Sequence, residues 1–172
     1  LKDLRVFQEP AGTQPDISQY DPKRDAIFTL NGTAAGVWIP DFEWIDADRE
    51  GLTLCDATSA AFAVEIDWSK IDVLTFSWQK CMGGEAQHGM LVMSPRAIER
   101  LDSWRPDWPI PGLLQLHANG KANMAVYEGS TLNTPSLMAV EDYLAALKWA
   151  SRIGGLPELI RRREENFAAL DE

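Results

Sequence analysis

Lys80 is the residue whose type and position in this sequence most directly suggest chemistry. It follows residues 73–78, a short run of β-branched, aromatic and apolar side chains flanked by polar ones, which predicts a buried strand. A lysine just beyond such a strand is costly to bury as an ammonium, and burial favours the neutral amine, which can attack a carbonyl. Gly83 and Gly84 follow, and they give the backbone freedom to turn or to let a ligand approach closely. The stretch therefore indicates Schiff-base chemistry at Lys80.

Asp56 is a second candidate because it directly follows another apolar run, residues 52–55. An aspartate at the end of a strand is commonly a cap or turn residue, and position alone leaves that interpretation open. If the strands before Lys80, before Asp56 and at residues 26–30 are parallel, their following loops open at one edge of the sheet, where open α/β folds bind ligands. Four side chains are then expected to converge at this edge: Thr33, Asp56, Gln79 and Lys80.

The strands that would position these residues read as continuous apolar runs, the pattern of a parallel sheet covered by helices on both faces. The predicted strands are residues 4–8, 26–30, 52–55, 73–78 and 90–93. Ten residues separate Trp78 from Gly89, whereas a parallel crossover needs about a dozen or more. The last strand, at about 89–94, is therefore expected to be antiparallel to its predecessor. The sequence predicts an α/β fold, a three-layer αβα arrangement with a mostly parallel sheet and one antiparallel strand.

Helix signals lie mostly in the second half of the chain. Pro95 is expected to open a short helix over residues 96–101, and the Trp-, Pro- and Gly-rich stretch 103–120 is expected to be irregular surface or interface. Thr134 followed by Pro135 predicts an N-cap and a first helical position. Gly154-Gly155 is expected to end that helix, and Pro157 is expected to start the last one. Their apolar faces are predicted at Leu137, Val140, Leu144 and Leu147, and at Ile160, Phe167 and Leu170.

Composition limits the class of protein. The 172 residues are 45% hydrophobic and 24% charged, which fits one soluble globular domain, and no apolar run approaches membrane-spanning length. The net charge of −10 argues against nucleic acid as the main partner, because phosphate binding needs a concentrated cationic face. Cys55 and Cys81 lack metal-ligand spacing and indicate a reduced, cytoplasmic protein. His88 and His117 also lack such spacing and are expected to pack or to lie at the surface.

Four motifs follow one another along the chain. They are Asn31-Gly32-Thr33, Cys55-Asp56-Ala57-Thr58-Ser59-Ala60, Thr75-Phe76-Ser77-Trp78-Gln79-Lys80 with Gly83-Gly84-Glu85 and His88-Gly89, and Asn133-Thr134-Pro135-Ser136. In this order the motifs resemble those of the phosphoserine aminotransferases, which are pyridoxal-phosphate (PLP) enzymes of fold type I. The resemblance extends over nearly the whole chain, and the Ser-Trp-Gln-Lys form is similar to the bacterial and archaeal branch of that family.

The resemblance implies a role for each candidate residue. Lys80 would form the Schiff base with PLP and then move a proton, and Asp56 would face the pyridine nitrogen and favour its protonated form. Three further residues match cofactor contacts of the family: Thr33, Thr58 and the phosphate-binding Gln79. Asn133 and Thr134 match a pair that binds the cofactor phosphate of the other subunit of a homodimer. A helix start there would also offer free amides to an anion, although a simple N-cap is the alternative.

The activity implied is transamination between phosphoserine and 2-oxoglutarate, which in the biosynthetic direction makes phosphoserine from 3-phosphohydroxypyruvate and glutamate for L-serine biosynthesis. Two alternatives remain at this point: another fold type I aminotransferase, such as an alanine–glyoxylate type, and a non-catalytic dimerisation or scaffold fragment. Residues 1–172 are expected to be the central part of the PLP-binding large domain. The family's N-terminal segment, with its stacking aromatic, and its C-terminal small domain, with a substrate-carboxylate arginine, are expected to lie outside this sequence, so that the fragment alone is expected to be inactive.

Overall fold

A four-stranded sheet forms the centre of the chain in a computed structural model, which describes residues 3–171. Its strands are adjacent in sequence order: β1 (Ala26–Thr29), β2 (Thr53–Asp56), β3 (Val73–Ser77) and β4 (Gly89–Met93). The first three strands are parallel, and β4 is antiparallel to β3. The predicted α/β class, the mostly parallel sheet and its one antiparallel strand are therefore confirmed.

The predicted strand at residues 4–8 is wrong. These residues have no regular structure, and all five side chains are exposed. An extended segment becomes a strand only when its backbone pairs with a neighbour, and within residues 3–171 β1 is bonded to β2 alone. A short apolar run thus indicates a segment that is able to pair, but it does not supply the neighbouring strand.

Three α-helices follow the sheet: α1 (Pro95–Ser103), α2 (Leu137–Ile153) and α3 (Leu156–Asp171). The stretch between α1 and α2 is mostly irregular, as predicted. It also contains short 3-10 turns at Gly112–Leu114 and Met124–Glu128 and a small hairpin of β5 (His117–Ala118) and β6 (Lys121–Ala122). No helix in the described part of the chain is long and apolar enough to cross a membrane.

Helix α2 begins two residues later than the Thr134-Pro135 signal predicts. Its N-cap is Ser136, whose hydroxyl accepts a hydrogen bond from the Ala139 amide at 3.4 Å. Serine caps a helix at least as well as threonine, so the motif contains two competing start signals, and the second one is used. Thr134 lies outside the helix, and the predicted capping role for it is wrong.

The apolar face of α2 is also rotated from the predicted one. The buried positions are Ala139, Tyr143 and Ala150, whereas Leu137 and Leu144 are exposed. In α3, Leu159 is buried, and the predicted Phe167 and Leu170 are 69% and 85% exposed. Gly154 ends α2 with positive φ, as its position in the sequence predicts.

The buried core lies on one face of the sheet. Side chains such as Leu30, Cys55 and Leu74 pack there with the loops that follow β1 and β2. Helices α2 and α3 contribute to a second cluster, which includes Trp78, Met82, Tyr143 and Leu159 and is joined to the first through Phe62 and Phe76. Residues in register across strands point to the same face. On the opposite face Ile27 of β1 is 73% exposed, so this face of β1 is open in residues 3–171.

A buried ionic cluster fixes the amino end of β3. Asp72, 2% exposed, accepts hydrogen bonds from the backbone amide of Thr53 at 3.0 Å, the hydroxyl of Ser94 at 2.8 Å and the guanidinium of Arg49 at 3.0 Å. Arg96 of α1 reaches the same carboxylate at 3.4 Å. The cluster therefore joins the starts of β2, β3 and α1 at the edge of the sheet opposite Lys80.

Candidate active site

The three parallel strands bring their carboxyl ends to one edge of the sheet. Asp56 is in register with Thr29 on one side and with Thr75 on the other. The ladder continues past the strand ends, because the Leu30 amide donates to the Asp56 carbonyl at 2.9 Å and the Ala57 amide donates to the Thr75 carbonyl at 2.9 Å. The loops after β1, β2 and β3 therefore start side by side, as the sequence predicts.

The Asp56 side chain is exposed at the end of β2. Its Oδ1 accepts a hydrogen bond from the Thr58 amide at 2.9 Å, which makes it a turn-capping residue of its own loop. Its Oδ2 accepts none from residues 3–171. One oxygen thus orients the carboxylate while the other is available to a ligand, so the capping interpretation and the ligand-binding interpretation are compatible.

The loop after β1 is tied to the loop after β2 by Asn31 and Ser59. The Ser59 hydroxyl donates to the Asn31 carbonyl at 2.7 Å and accepts from Asn31 Nδ2 at 3.0 Å. The β1 loop also closes on itself, since the Gly32 amide donates to the Val37 carbonyl at 2.7 Å. Thr33 lies in this closed turn with its side chain exposed. Sequence reasoning assigned no role to Asn31 or Ser59, and their partnership is visible only in the fold.

Lys80 lies in a tight turn between β3 and β4. The Gly84 amide donates to the Trp78 carbonyl at 2.9 Å, and the Gly83 amide donates to the Lys80 carbonyl at 2.9 Å. Gly83 has a φ of +69°, which favours glycine, and a Cβ on Gly84 would lie 3.0 Å from the Cβ of Trp78. The glycines are therefore needed for the turn itself. The Lys80 side chain is half-buried and pairs with no carboxylate of residues 3–171.

Three polar atoms around this turn are buried and lack a hydrogen-bond partner among residues 3–171: Trp78 Nε1, Gln79 Oε1 and His88 Nε2. The His88 ring packs against the Trp78 ring with 4.8 Å between centroids, which agrees with the expected packing role. A buried polar atom without a partner costs about 1–3 kcal/mol. Gln79, the residue next to Lys80, therefore has a buried side-chain oxygen that needs a hydrogen-bond donor.

The cysteines near the site are protonated thiols. Burial, together with the neighbouring Asp56 charge, raises the pKa of Cys55 to about 12. Cys81 is exposed, yet desolvation raises the pKa of its thiol, which donates to the Phe62 carbonyl at 3.3 Å. Because the thiolate is the nucleophilic form, this shift lowers the reactivity of Cys81.

Asn133 and Thr134 are exposed in the irregular segment before α2. No hydrogen bond within residues 3–171 connects either one to the loops that carry Thr33, Asp56 or Lys80. Within residues 3–171, the loops that carry Thr33, Asp56, Thr58, Gln79 and Lys80 thus follow neighbouring strands at one edge of the sheet, and no hydrogen bond ties Asn133 or Thr134 to them. Their role in a phosphate site of another subunit stays a prediction.

A scan against models of known protein families finds no match. Similarity to individual proteins is extensive: the phosphoserine aminotransferase of Methanosarcina mazei is 55% identical over 171 residues, which are 99% of this chain and 46% of that protein. This chain is a homologue of the phosphoserine aminotransferases. It spans about half the length of the curated relatives it matches.

Solved structures show the same fold. The phosphoserine aminotransferase of Cytophaga hutchinsonii superposes with a TM-score of 0.74 at 24% identity, over 94% of this chain and 45% of that one. The PLP-bound phosphoserine aminotransferase of Trichomonas vaginalis superposes with a TM-score of 0.58 at 20% identity, over 78% of this chain and 33% of that one. The fold of the chain is that of the fold type I aminotransferases.

Proposed function

We propose that the protein is a PLP-dependent transaminase that moves an amino group between phosphoserine and 2-oxoglutarate. In the biosynthetic direction it makes phosphoserine from 3-phosphohydroxypyruvate and glutamate, a step toward L-serine. The observation that carries the proposal is the 55% identity over nearly the whole chain to a phosphoserine aminotransferase. The placement of Asp56 and Lys80 at one edge of the sheet supports it. We also propose a cytoplasmic location, which the free Cys55 and Cys81 support.

The side chains at this edge fit PLP by their chemistry. A pyridine nitrogen needs a carboxylate, and Asp56 has an oxygen that accepts no hydrogen bond from residues 3–171. The aldehyde forms a Schiff base with an amine, and the Lys80 amine makes no ion pair with a carboxylate of residues 3–171. A phosphate needs hydrogen-bond donors, which the Thr33 and Thr58 hydroxyls and the Gln79 amide can supply. The set matches the ring nitrogen, the aldehyde and the phosphate of the cofactor.

When bound, PLP supplies an electron sink that stabilises negative charge at the substrate α-carbon. Lys80 Nζ would hold the cofactor covalently and, when displaced by substrate, would carry the α-proton as a general acid–base. The Asp56 carboxylate would keep a proton on the ring nitrogen through a charge-assisted hydrogen bond. Thr58 assists indirectly, because its amide fixes one Asp56 oxygen at 2.9 Å and so leaves the other free.

We further propose a homodimer in which Asn133 and Thr134 of each chain complete the phosphate site of its partner. The support is the exposure of both side chains, which hydrogen-bond to none of the Lys80, Asp56 and Thr33 loops within residues 3–171. Residues 1–172 would then be the central part of the PLP-binding large domain. Exposed apolar residues in the segment before Asn133, such as Leu113, Leu114 and Leu132, are compatible with burial in that assembly.

Amino-group exchange by the full-length protein with PLP tests the proposed function. The protein should convert phosphoserine and 2-oxoglutarate to 3-phosphohydroxypyruvate and glutamate, and it should act on alanine and glyoxylate much more slowly. Efficient use of another amino donor with no exchange from phosphoserine would overturn the substrate assignment. Failure to form a Lys80-dependent visible absorption band with PLP would instead favour the non-catalytic scaffold.

A further inference from the structure

The side chain of Trp78, two residues before Lys80, packs against two other rings. One face of the indole stacks on Tyr143 of α2, with ring centroids 4.3 Å apart and planes 4° from parallel. The His88 ring packs against it at 4.8 Å with a tilt of 51°. Trp78 and Tyr143 are 8% and 6% exposed, so the contact is desolvated. An aromatic pair in this geometry contributes beyond its apolar area.

Trp78 is also the base of the turn that presents Lys80. Its carbonyl accepts the Gly84 amide at 2.9 Å, which closes residues 78–84 into one loop. Gly84 lies directly against it, because a Cβ there would be 3.0 Å from Trp78 Cβ and 3.2 Å from Trp78 O. Met82, at the far side of the turn, is buried in the same cluster as Tyr143. Because the turn bonds to the Trp78 carbonyl and packs on its Cβ, a displacement of Trp78 would shift the backbone on both sides of Lys80.

From this geometry we infer that Trp78, held by Tyr143, is a positioning residue for Lys80. The stack fixes the turn against α2 and thereby sets where the half-buried amine lies. The inference rests on the proposed function only in making Lys80 the reacting lysine. It assigns to Tyr143, 63 residues away in sequence, an effect on the accessibility and placement of that amine.

The inference is tested by measuring how fast a reagent reaches the Lys80 amine in the full-length, cofactor-free protein. Trinitrobenzenesulfonate modifies free amines, and peptide mass analysis follows Lys80 against the exposed Lys121 as an internal reference. Tyr143→Leu removes the stack while keeping apolar bulk, so the turn opens more often and Lys80 should be modified up to about tenfold faster. The rate at which added PLP condenses with Lys80 should fall, because that reaction needs a defined amine position.

Two matched variants separate positioning from general loss of stability. Tyr143→Phe keeps the stacked ring and should leave both rates within about twofold of wild type. Phe28→Leu removes a ring that packs on Trp44 in the other core cluster, with 5.1 Å between ring centroids. It should lower the midpoint of thermal unfolding without changing the labelling rate of Lys80 relative to that of Lys121. If Tyr143→Leu does not fold, Tyr143→Met is measured in its place.

The inference is overturned if Lys80 is labelled at the wild-type rate in the folded Tyr143 variant. It is also overturned if Phe28→Leu, at an equal loss of stability, changes Lys80 labelling and PLP condensation as the Tyr143 variant does. Opposite changes in reagent labelling and PLP condensation, confined to the Tyr143 variant, support it. These outcomes do not depend on the substrate. If the wild type failed to transaminate phosphoserine, the proposed function would fall and the labelling result would stand.

Discussion

The Ser59 hydroxyl bridges two strand-end loops by donating to the Asn31 carbonyl at 2.7 Å and accepting from Asn31 Nδ2 at 3.0 Å. Both residues are half-buried, so water replaces these bonds poorly. The pair holds the loop that carries Thr33 against the loop that carries Thr58. The cofactor contacts proposed on the two loops therefore share one support.

Ser59→Ala should loosen this support. Two hydrogen bonds are lost at about 0.5–1.5 kcal/mol each, and we expect about 1–3 kcal/mol of lost stability together with weaker PLP binding. Urea unfolding and PLP titration of the full-length protein measure the two effects. Ser18→Ala is the matched control, because the Ser18 hydroxyl bonds only to the exposed Asp16 in the described structure. Equal PLP affinity in the Ser59 variant and the control would contradict the role.

Gly84→Ala should disturb the Lys80 turn. The added methyl would meet Trp78 Cβ at 3.0 Å and Trp78 O at 3.2 Å, and overpacking of this kind costs about 1–3 kcal/mol. Gly89→Ala is the control, since no atom of residues 3–171 lies within 4 Å of a Cβ there. Thermal unfolding should separate the two variants, and only Gly84→Ala should slow PLP condensation. Two variants of equal stability would show that the turn has room to relax.

Asp72 makes stability depend on acid pH. Burial opposes its ionisation, but hydrogen bonds from the Thr53 amide, Ser94 and Arg49 outweigh burial and lower its pKa below the ordinary value. A carboxyl with a lower pKa in the folded state contributes stability that is complete above its unfolded pKa of about 4 and is lost as the pH falls through the folded value. We therefore expect the free energy of unfolding of the wild type, measured with urea from pH 7 to pH 3, to fall below about pH 4 as Asp72 is protonated.

Asp72→Asn should remove that acid dependence. At pH 7 it should cost about 3–5 kcal/mol, because the nearly buried Arg49 guanidinium loses its counter-charge. Glu164→Gln, in an exposed pair with Arg163, should cost less than about 1 kcal/mol. Wild-type and Asp72→Asn proteins that lose stability in parallel below pH 4 would rule out Asp72 as the group responsible.

The sequence predicts the strands of the sheet well and the long-range contacts that support them poorly, while the chemistry at the strand ends stays a prediction. Strands β1 to β4 and the antiparallel step follow from local apolar runs and from loop lengths. The Asp72 cluster could not be predicted, because Arg49 and Ser94 lie more than twenty residues away on either side and only the fold joins them. The start of α2 was misplaced because Thr134 and Ser136 are both able to cap.

Lys80→Ala in the full-length protein should abolish transamination and leave the fold intact. The substitution removes the amine that would hold PLP and move the proton, yet it deletes only a half-buried side chain without an ion pair in residues 3–171. Lys121→Ala, at an exposed position of β6, is the control and should keep wild-type activity. Circular dichroism checks the fold of both variants. Retained turnover in the Lys80 variant would refute its assignment.

Mixed dimers test whether Asn133 and Thr134 act across the subunit boundary. Loss of charge-assisted hydrogen bonds to a phosphate costs about 1.5–3 kcal/mol each, or about one to two decades in PLP affinity, so an Asn133→Ala, Thr134→Ala chain alone should be nearly inactive at limiting PLP. A Lys80→Ala chain alone should also be inactive. In their mixed dimer one site combines an intact Lys80 with the intact Asn133 and Thr134 of its neighbour, while the other site carries both defects. Activity should therefore return in part. If mixed dimers form and no activity returns, each phosphate site is built within one chain and the shared-site proposal fails.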